Sequence, residues 1–119
     1  MAQSLITVYA AGPEPHVESD PLDASRDSVI TLERLVTQSP PLIGAALRFG
    51  MLHGPGTWYR QATGTSPVHV DAAAWATMLA IERSATGVFN VTEERGFALS
   101  ARAHDELGWS PDMRVHGGA

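Results

Sequence analysis

The stretch Leu42-Ile43-Gly44-Ala45-Ala46-Leu47-Arg48-Phe49 carries a single charge, Arg48, among apolar and small residues. No polar residue alternates with the apolar ones, and the run has the length of a strand. It therefore reads as a strand buried on both faces, the pattern of a parallel sheet. Leu5-Ile6-Thr7-Val8-Tyr9-Ala10, a β-branched and aromatic run ended by Gly12-Pro13, and Gly87-Val88-Phe89-Asn90-Val91 read as two further strands. Pro67-Val68-His69-Val70 adds a short extended piece.

Helical patterns lie between these strands. Val29, Leu32, Leu35 and Val36 fall on one stripe at helical spacing, so a helix runs from Ser25 or Asp27 to about Gln38, where Ser39-Pro40-Pro41 stops it. Asp71 serves as N-cap for a second helix over about 72–83, which bears Trp75, Met78, Leu79 and Glu82. A third, over about 99–107, ends at Gly108. Strand and helix alternate, which specifies an α/β fold: a small, mainly parallel sheet with flanking helices. Three strands are few for a layer that needs covered faces and protected edges.

The sequence has 119 residues, enough for a single domain, expected to be ordered over about 1–110 with a loose tail over 111–119. With 44% hydrophobic and 18% charged residues its composition is globular. No apolar run approaches the roughly 20 residues of a membrane span, and residues 1–12 lack the basic leader of a secretory signal. The expected location is cytoplasmic. A net charge of −5 without a basic cluster argues against nucleic acid as a partner. Cysteine is absent, which excludes disulfides, thiolate zinc sites and cysteine nucleophiles. All eight basic residues are arginine, so Schiff-base lysine chemistry is excluded too. His16, His104 and His116 have no partner at ligand spacing, and no metal is expected.

Several residues are positioned to carry chemistry. Tyr9, at the end of the first strand run, either aims its phenol into a pocket or is a half-buried aromatic with a satisfied hydroxyl. His53 lies in a glycine-rich loop after the second strand and suits acid/base work, or else simply faces solvent. Ligands of open α/β sheets sit outside the carboxyl ends of the strands, which would place Tyr9 and His53 near each other. Arg48 needs a partner if buried, with Glu33 and Asp71 as candidates, or else binds an anion. Trp58-Tyr59-Arg60 puts two aromatics and a cation in one short loop, as a pocket lining or as a lid over the core. His69 is expected to make a structural hydrogen bond, and Glu14, Glu18 and Asp20 form an acidic loop.

Five segments, in order, resemble the second half of the extended short-chain dehydrogenase/reductases, the NAD-dependent epimerase/dehydratase family. Residues 4–10, SLITVYA, resemble its S-S-x-x-V-Y-G strand end, and Leu32-Glu33-Arg34-Leu35-Val36 resembles the E-x-L-V end of its active-site helix. Residues 47–56, LRFGMLHGPG, resemble R-x-x-x-V-Y-G-P-G. Residues 67–73, PVHVDAA, resemble part of F-V-H-V-D-D-V-A, and Gly87-Val88-Phe89-Asn90-Val91 resembles G-x-Y-N-V.

The departures from that family are chemical. Its glycine-rich dinucleotide turn has no counterpart, its catalytic serine falls on Leu5 beside Ser4, and its Y-x-x-x-K pair falls on Ser25 and Val29. The resemblance therefore implies the fold without the hydride-transfer machinery, and no cofactor is expected. The expected function is a cofactor-independent enzyme or binding protein for a small organic molecule. Its catalysis would be isomerisation, cyclisation or elimination, with His53, Tyr9 and Tyr59 as proton groups and Trp58, Arg60, His69 and Arg48 as binding residues. The alternative is a non-catalytic fragment that acts by assembly. A homodimer is expected, through the first strand or the helix over 27–38, with a longer relative as the other possible partner.

Overall fold

The computed structural model describes residues 1–41 and 43–115. In chain order they form β1 (Ala2–Leu5), α1 (Asp27–Gln38), β2 (Ala45–Phe49), β3 (Met51–His53), β4 (Pro67–His69), α2 (Val70–Glu82), β5 (Gly87–Val91) and α3 (Ala101–Leu107). A three-stranded parallel sheet has the order β1-β2-β5, and β3 and β4 pair in parallel beside it. The α/β fold read from the sequence is the one observed.

The central strand is β2, whose residues Ala45 to Arg48 are all buried, as a strand covered on both faces requires. It begins at Ala45 rather than at the expected residue 42, and Leu42 lies outside the described residues. Its register joins Leu5 to Phe49 on one side and Val91 to Phe49 on the other. At Gly50 the backbone crosses so close to the next layer that a Cβ would stand 2.1 Å from the Ser66 carbonyl oxygen. Only glycine fits there, and it diverts the chain from the first sheet into β3.

That diversion corrects the expected first strand. Pairing with β2 stops at Phe49, so β1 ends at Leu5 and starts earlier, at Ala2. Residues Ile6–Val8 have no neighbour to pair with and form a 3-10 turn. Ile6, Val8 and Tyr9 then bury against Ala98, with Leu22, Val29, Ile30 and Phe97 around them. Strand propensity yields to tertiary packing here.

The main core joins Leu47, Val68, Phe89 and Val91 of the strands to Ala72, Ala73, Ala76 and Ala80 of α2 and to Leu107 and Trp109. The alanines let α2 approach closely. Its N-cap is His69 and not Asp71: the ring Nδ1 accepts from the Asp71 backbone N–H at 3.0 Å. A histidine one residue before the helix reaches the free N–H that Asp71, already inside the first turn, cannot.

On α1 the expected stripe is rotated. The buried residue is Glu33, whereas Leu32 and Leu35 are 41% and 59% exposed. Past α3 the chain packs back on the core. Gly108 closes α3 in the left-handed conformation, with the Trp109 N–H reaching the Ala103 carbonyl. Trp109 is fully buried, and Trp75 Nε1 holds the Arg114 carbonyl at 2.9 Å. Residues 116–119, including His116, lie outside the described residues. Among the described residues no helix is long and apolar enough to cross a membrane.

Candidate functional site

Arg48 lies on the central strand, and being 2% exposed its charge must be met inside the protein. Glu33 meets it with both oxygens: Arg48 Nη2 donates to Oε1 at 2.7 Å and Nε to Oε2 at 2.8 Å. The bidentate fork explains why the one buried position of α1 is a carboxylate. Ser4 Oγ donates to the same Oε2 at 2.5 Å, and Arg48 Nη1 donates to the Tyr9 oxygen at 3.0 Å. The Tyr9 hydroxyl donates in turn to Asn90 Oδ1 at 2.5 Å. Burial raises the Tyr9 phenol above its ordinary value of 10.0, against the lowering pull of Arg48. The network locks β1, β2, β5 and α1 together, and of the two partners open to Arg48 it selects Glu33.

His53 ends β3, and its Nε2 lies 2.9 Å from Glu93 Oε2. Arg95 donates to the other Glu93 oxygen at 2.9 Å. Burial acts to raise the Glu93 carboxyl, but the bonds from His53 and Arg95 outweigh it and hold the group below 4.5. Beside His53, in register across the strand pair, stands His69, with ring centroids 5.3 Å apart and planes nearly perpendicular. Burial pulls the His69 imidazole below its ordinary 6.5, and the charge of Arg114 adds to this. The structure does not bring Tyr9 and His53 together. Tyr9 is surrounded by Arg48, Asn90, His16 and Phe97, whereas His53 meets Glu93 and His69.

The loop after β3 is tightly built. Gly54 has φ +111°, and a Cβ there would strike the His69 ring at 2.7 Å, so glycine is required twice over. Its N–H donates to the Tyr59 carbonyl at 2.8 Å, and the Thr57 hydroxyl lies 2.6 Å from that same carbonyl. The loop thereby brings Tyr59 beside His53 by a backbone bridge and leaves Trp58 91% exposed on the rim.

Between this loop and the carboxyl ends of β1 and β2 lies a cleft of about 430 Å³. Leu5, Phe49, Met51, Leu52, Trp58 and Val70 supply its apolar walls, and Tyr59 is the titratable group among its lining. No hydrogen bond engages the Tyr59 hydroxyl among the described residues, whereas the Ser4 hydroxyl in the same wall is held by Glu33. Arg60 lies on the other side of the loop, lining a second hollow with Gly54 to Thr57.

Of the residues singled out from sequence, Tyr59 and Trp58 meet at the cleft. Arg60 borders the adjoining hollow, His53 and His69 lie behind the loop, and Tyr9 and Arg48 are sealed in the network. Leu5, Met51 and Val70 were not anticipated at a site, although their position just past strand ends is a usable signal. Glu93, the partner of His53, follows the last strand and carried no sequence signal at all.

A dinucleotide needs a glycine turn running into a helix N-terminus that is free to take its pyrophosphate. Here the β1–α1 connection is proline-rich, and α1 opens on Asp27. β4 runs straight into α2, whose first turn is closed by His69 and carries Asp71. The described residues do not fit a dinucleotide. Nor do any three histidine or carboxylate side chains among them group as a metal site.

No family model matches the sequence. A 3-diazoavenalumate denitrifying reductase of a Streptomyces species is 38% identical over 56% of this chain and 28% of its own length. Among solved structures, the UDP-glucuronic acid 4-epimerase of Bacillus cereus, in complex with NAD, superposes with a TM-score of 0.70 at 17% identity, over 93% of this chain and 55% of that one. MoeE5, in complex with UDP-glucuronic acid and NAD, gives 0.70 at 16% identity over 91% and 57%. The chain spans little more than half of these structures and about a quarter of the reductase. The parallel β1-β2-β5 sheet and its flanking helices thus share the Rossmann-like fold of these two solved structures.

Proposed function

We propose that this chain derives from the short-chain dehydrogenase family and binds a small, largely apolar organic molecule in the cleft at the carboxyl ends of β1 and β2. The observation that carries this is the uncommitted Tyr59 hydroxyl in a mostly apolar wall, at the position where open α/β sheets hold ligands. Tyr59 acts as proton donor or acceptor in a cofactor-independent isomerisation, cyclisation or elimination, with the His53–Glu93 pair behind it and Trp58 covering the bound molecule. Tyr9 and Arg48 hold the strands that form the floor. The likeness to a reductase and to two NAD-bound structures supports the ancestry, and the poor fit to a dinucleotide supports independence from it.

Calorimetric titration with cinnamic acid, UDP-glucuronic acid and NAD tests this. Cinnamic acid should bind, and Trp58→Ala should weaken it about tenfold through lost aromatic contact. Once a turnover assay exists, Tyr59→Phe should lower the rate about a hundredfold. Cinnamate binding indifferent to both substitutions, or micromolar NAD binding, would overturn the reading.

A second reading, assembly without catalysis, is favoured by one observation: Leu32 and Leu35 of α1 and Leu5 of the edge strand β1 are all exposed. A twofold homodimer would cover them. Sedimentation at low micromolar concentration should then show a dimer that Leu35→Glu dissociates, and a monomer would discard this reading.

A further inference from the structure

The segment between β1 and α1 holds a second constellation, one that neither the cleft nor the Arg48 network uses. His16 is 4% exposed, and nearly every part of it is fixed. Its backbone N–H donates to the Phe97 carbonyl at 2.7 Å, and its carbonyl accepts from the Leu99 N–H at 2.9 Å. Its ring stacks on Tyr9 at 4.6 Å with planes 1° apart, and Phe97 meets its edge at 5.1 Å. Ring Nδ1 lies 2.9 Å from Asp20 Oδ2, and the Val17 N–H donates to the same oxygen at 3.2 Å. A carboxylate so placed can only accept, so Nδ1 donates, and in the neutral ring the lone pair is on Nε2.

Nε2 has no partner among the described residues. It is not sealed either, since Ser66 Oγ is the one fully buried side-chain nitrogen or oxygen atom left unpartnered among them. Nε2 is therefore not fully enclosed, and His16 lines a surface hollow of about 310 Å³. Asp20 lines it with His16, and Ala10, Ala11, Pro13 and Pro21 form apolar walls. The loop around it is closed by the Ala10 N–H donating to the Pro21 carbonyl at 2.9 Å.

A buried imidazole, oriented through one nitrogen by a carboxylate and lining a small, mostly apolar hollow, is the arrangement of a general base. We propose that His16 and Asp20 form a second site, which binds a compact hydroxyl-bearing molecule of about one ring and accepts its proton. The ligand O–H bond breaks and an N–H bond forms at Nε2. The oxygen keeps the electron pair as an oxyanion, and Asp20 holds the imidazolium that results. The volume lies at the lower end of ligand cavities, about 300 Å³, which sets the ligand's size.

The probe is 4-nitrophenol, whose absorption distinguishes phenol from phenolate. Titrated into the whole chain below the probe's own pKa, it should bind saturably, raise the phenolate band and shift the His16 ring signals in NMR. His16→Gln should abolish the rise. Asp20→Asn should cut the bound phenolate about tenfold or more, because the carboxylate steadies the imidazolium. Met78→Ala, exposed on α2 and lining neither site, should change nothing. Should His16→Gln fail to fold, as circular dichroism would show, the partly exposed Asp20→Asn still decides. Absence of saturable binding, an equal phenolate rise in the Asp20→Asn variant, or loss of the rise in Met78→Ala would each overturn the proposal.

Discussion

The chain has two tyrosines, and each has an arginine near it, one in space and one in sequence. Tyr9 shares a buried network with Arg48, whose guanidinium carbon lies 5.1 Å from the Tyr9 ring centroid and whose nitrogens are taken by Glu33 and the phenol oxygen. Tyr59 precedes Arg60 in a loop where the arginine is exposed and the phenol is uncommitted. The same two side chains are structural where every polar atom is paired, and available for chemistry where backbone hydrogen bonds fix the loop and leave the side chains free. A residue's type says little about which of these it becomes. The number of partners the fold supplies decides it.

Breaking the closed pair should have the largest effect. Glu33→Gln leaves Arg48 charged and buried without its counter-ion, at a cost of about 3–5 kcal/mol, read as a fall in the urea midpoint. Gly50→Ala comes next. It forces a methyl into the Ser66 carbonyl and the Thr92 hydroxyl, and overpacking of this kind costs about 1–3 kcal/mol. Thermal unfolding of that variant measures it.

The effect of His69, which packs against the loop, is smaller and depends on pH. Its folded pKa lies below the ordinary 6.5, so the unfolded chain takes up the proton first. The cap that its Nδ1 provides is therefore fully present above about 6.5 and lost as the pH falls through the lower, folded value. A cap of this kind is worth about 1 kcal/mol. His69→Asn keeps an acceptor at the helix start and should flatten the stability profile across that window, as denaturation at a series of pH values would show. The smallest effect belongs to the open pair: Trp58→Ala should change stability by no more than about 0.5 kcal/mol, although it weakens ligand binding.

The layer order was legible because it depends on residue class. A run from residue 42 to 49 with one charge can be little other than a covered strand, and alternation of strand with helix forces parallel pairing. What could not be read was direction. On α1 the apolar stripe through Leu32 and Leu35 has helical spacing, yet the helix turns Glu33 inward, because Arg48 buried on β2 outweighs two leucines. Glu33 was identified as a possible partner of Arg48, but not as the residue that sets the rotation of the helix. The first strand was displaced for a similar reason, its extent being set by where β2 has partners to offer. At the site, Trp58 and Tyr59 were legible as an aromatic pair. The His53–Glu93 contact was not, because 40 residues separate the two and nothing periodic connects them.

Trp109 has a consequence for how the protein is made. Its indole is fully buried among the residues of β2, α2 and β5, and its Nε1 donates to the Ala72 carbonyl at 2.7 Å. A ribosome adding about 5–20 residues per second would place Trp109 roughly 3 to 12 seconds after Leu47. Throughout that interval the most apolar strand of the sequence has emerged while the side chain that completes its cover has not. The nascent chain must therefore be sheltered, or stay loose, until Trp109 has emerged.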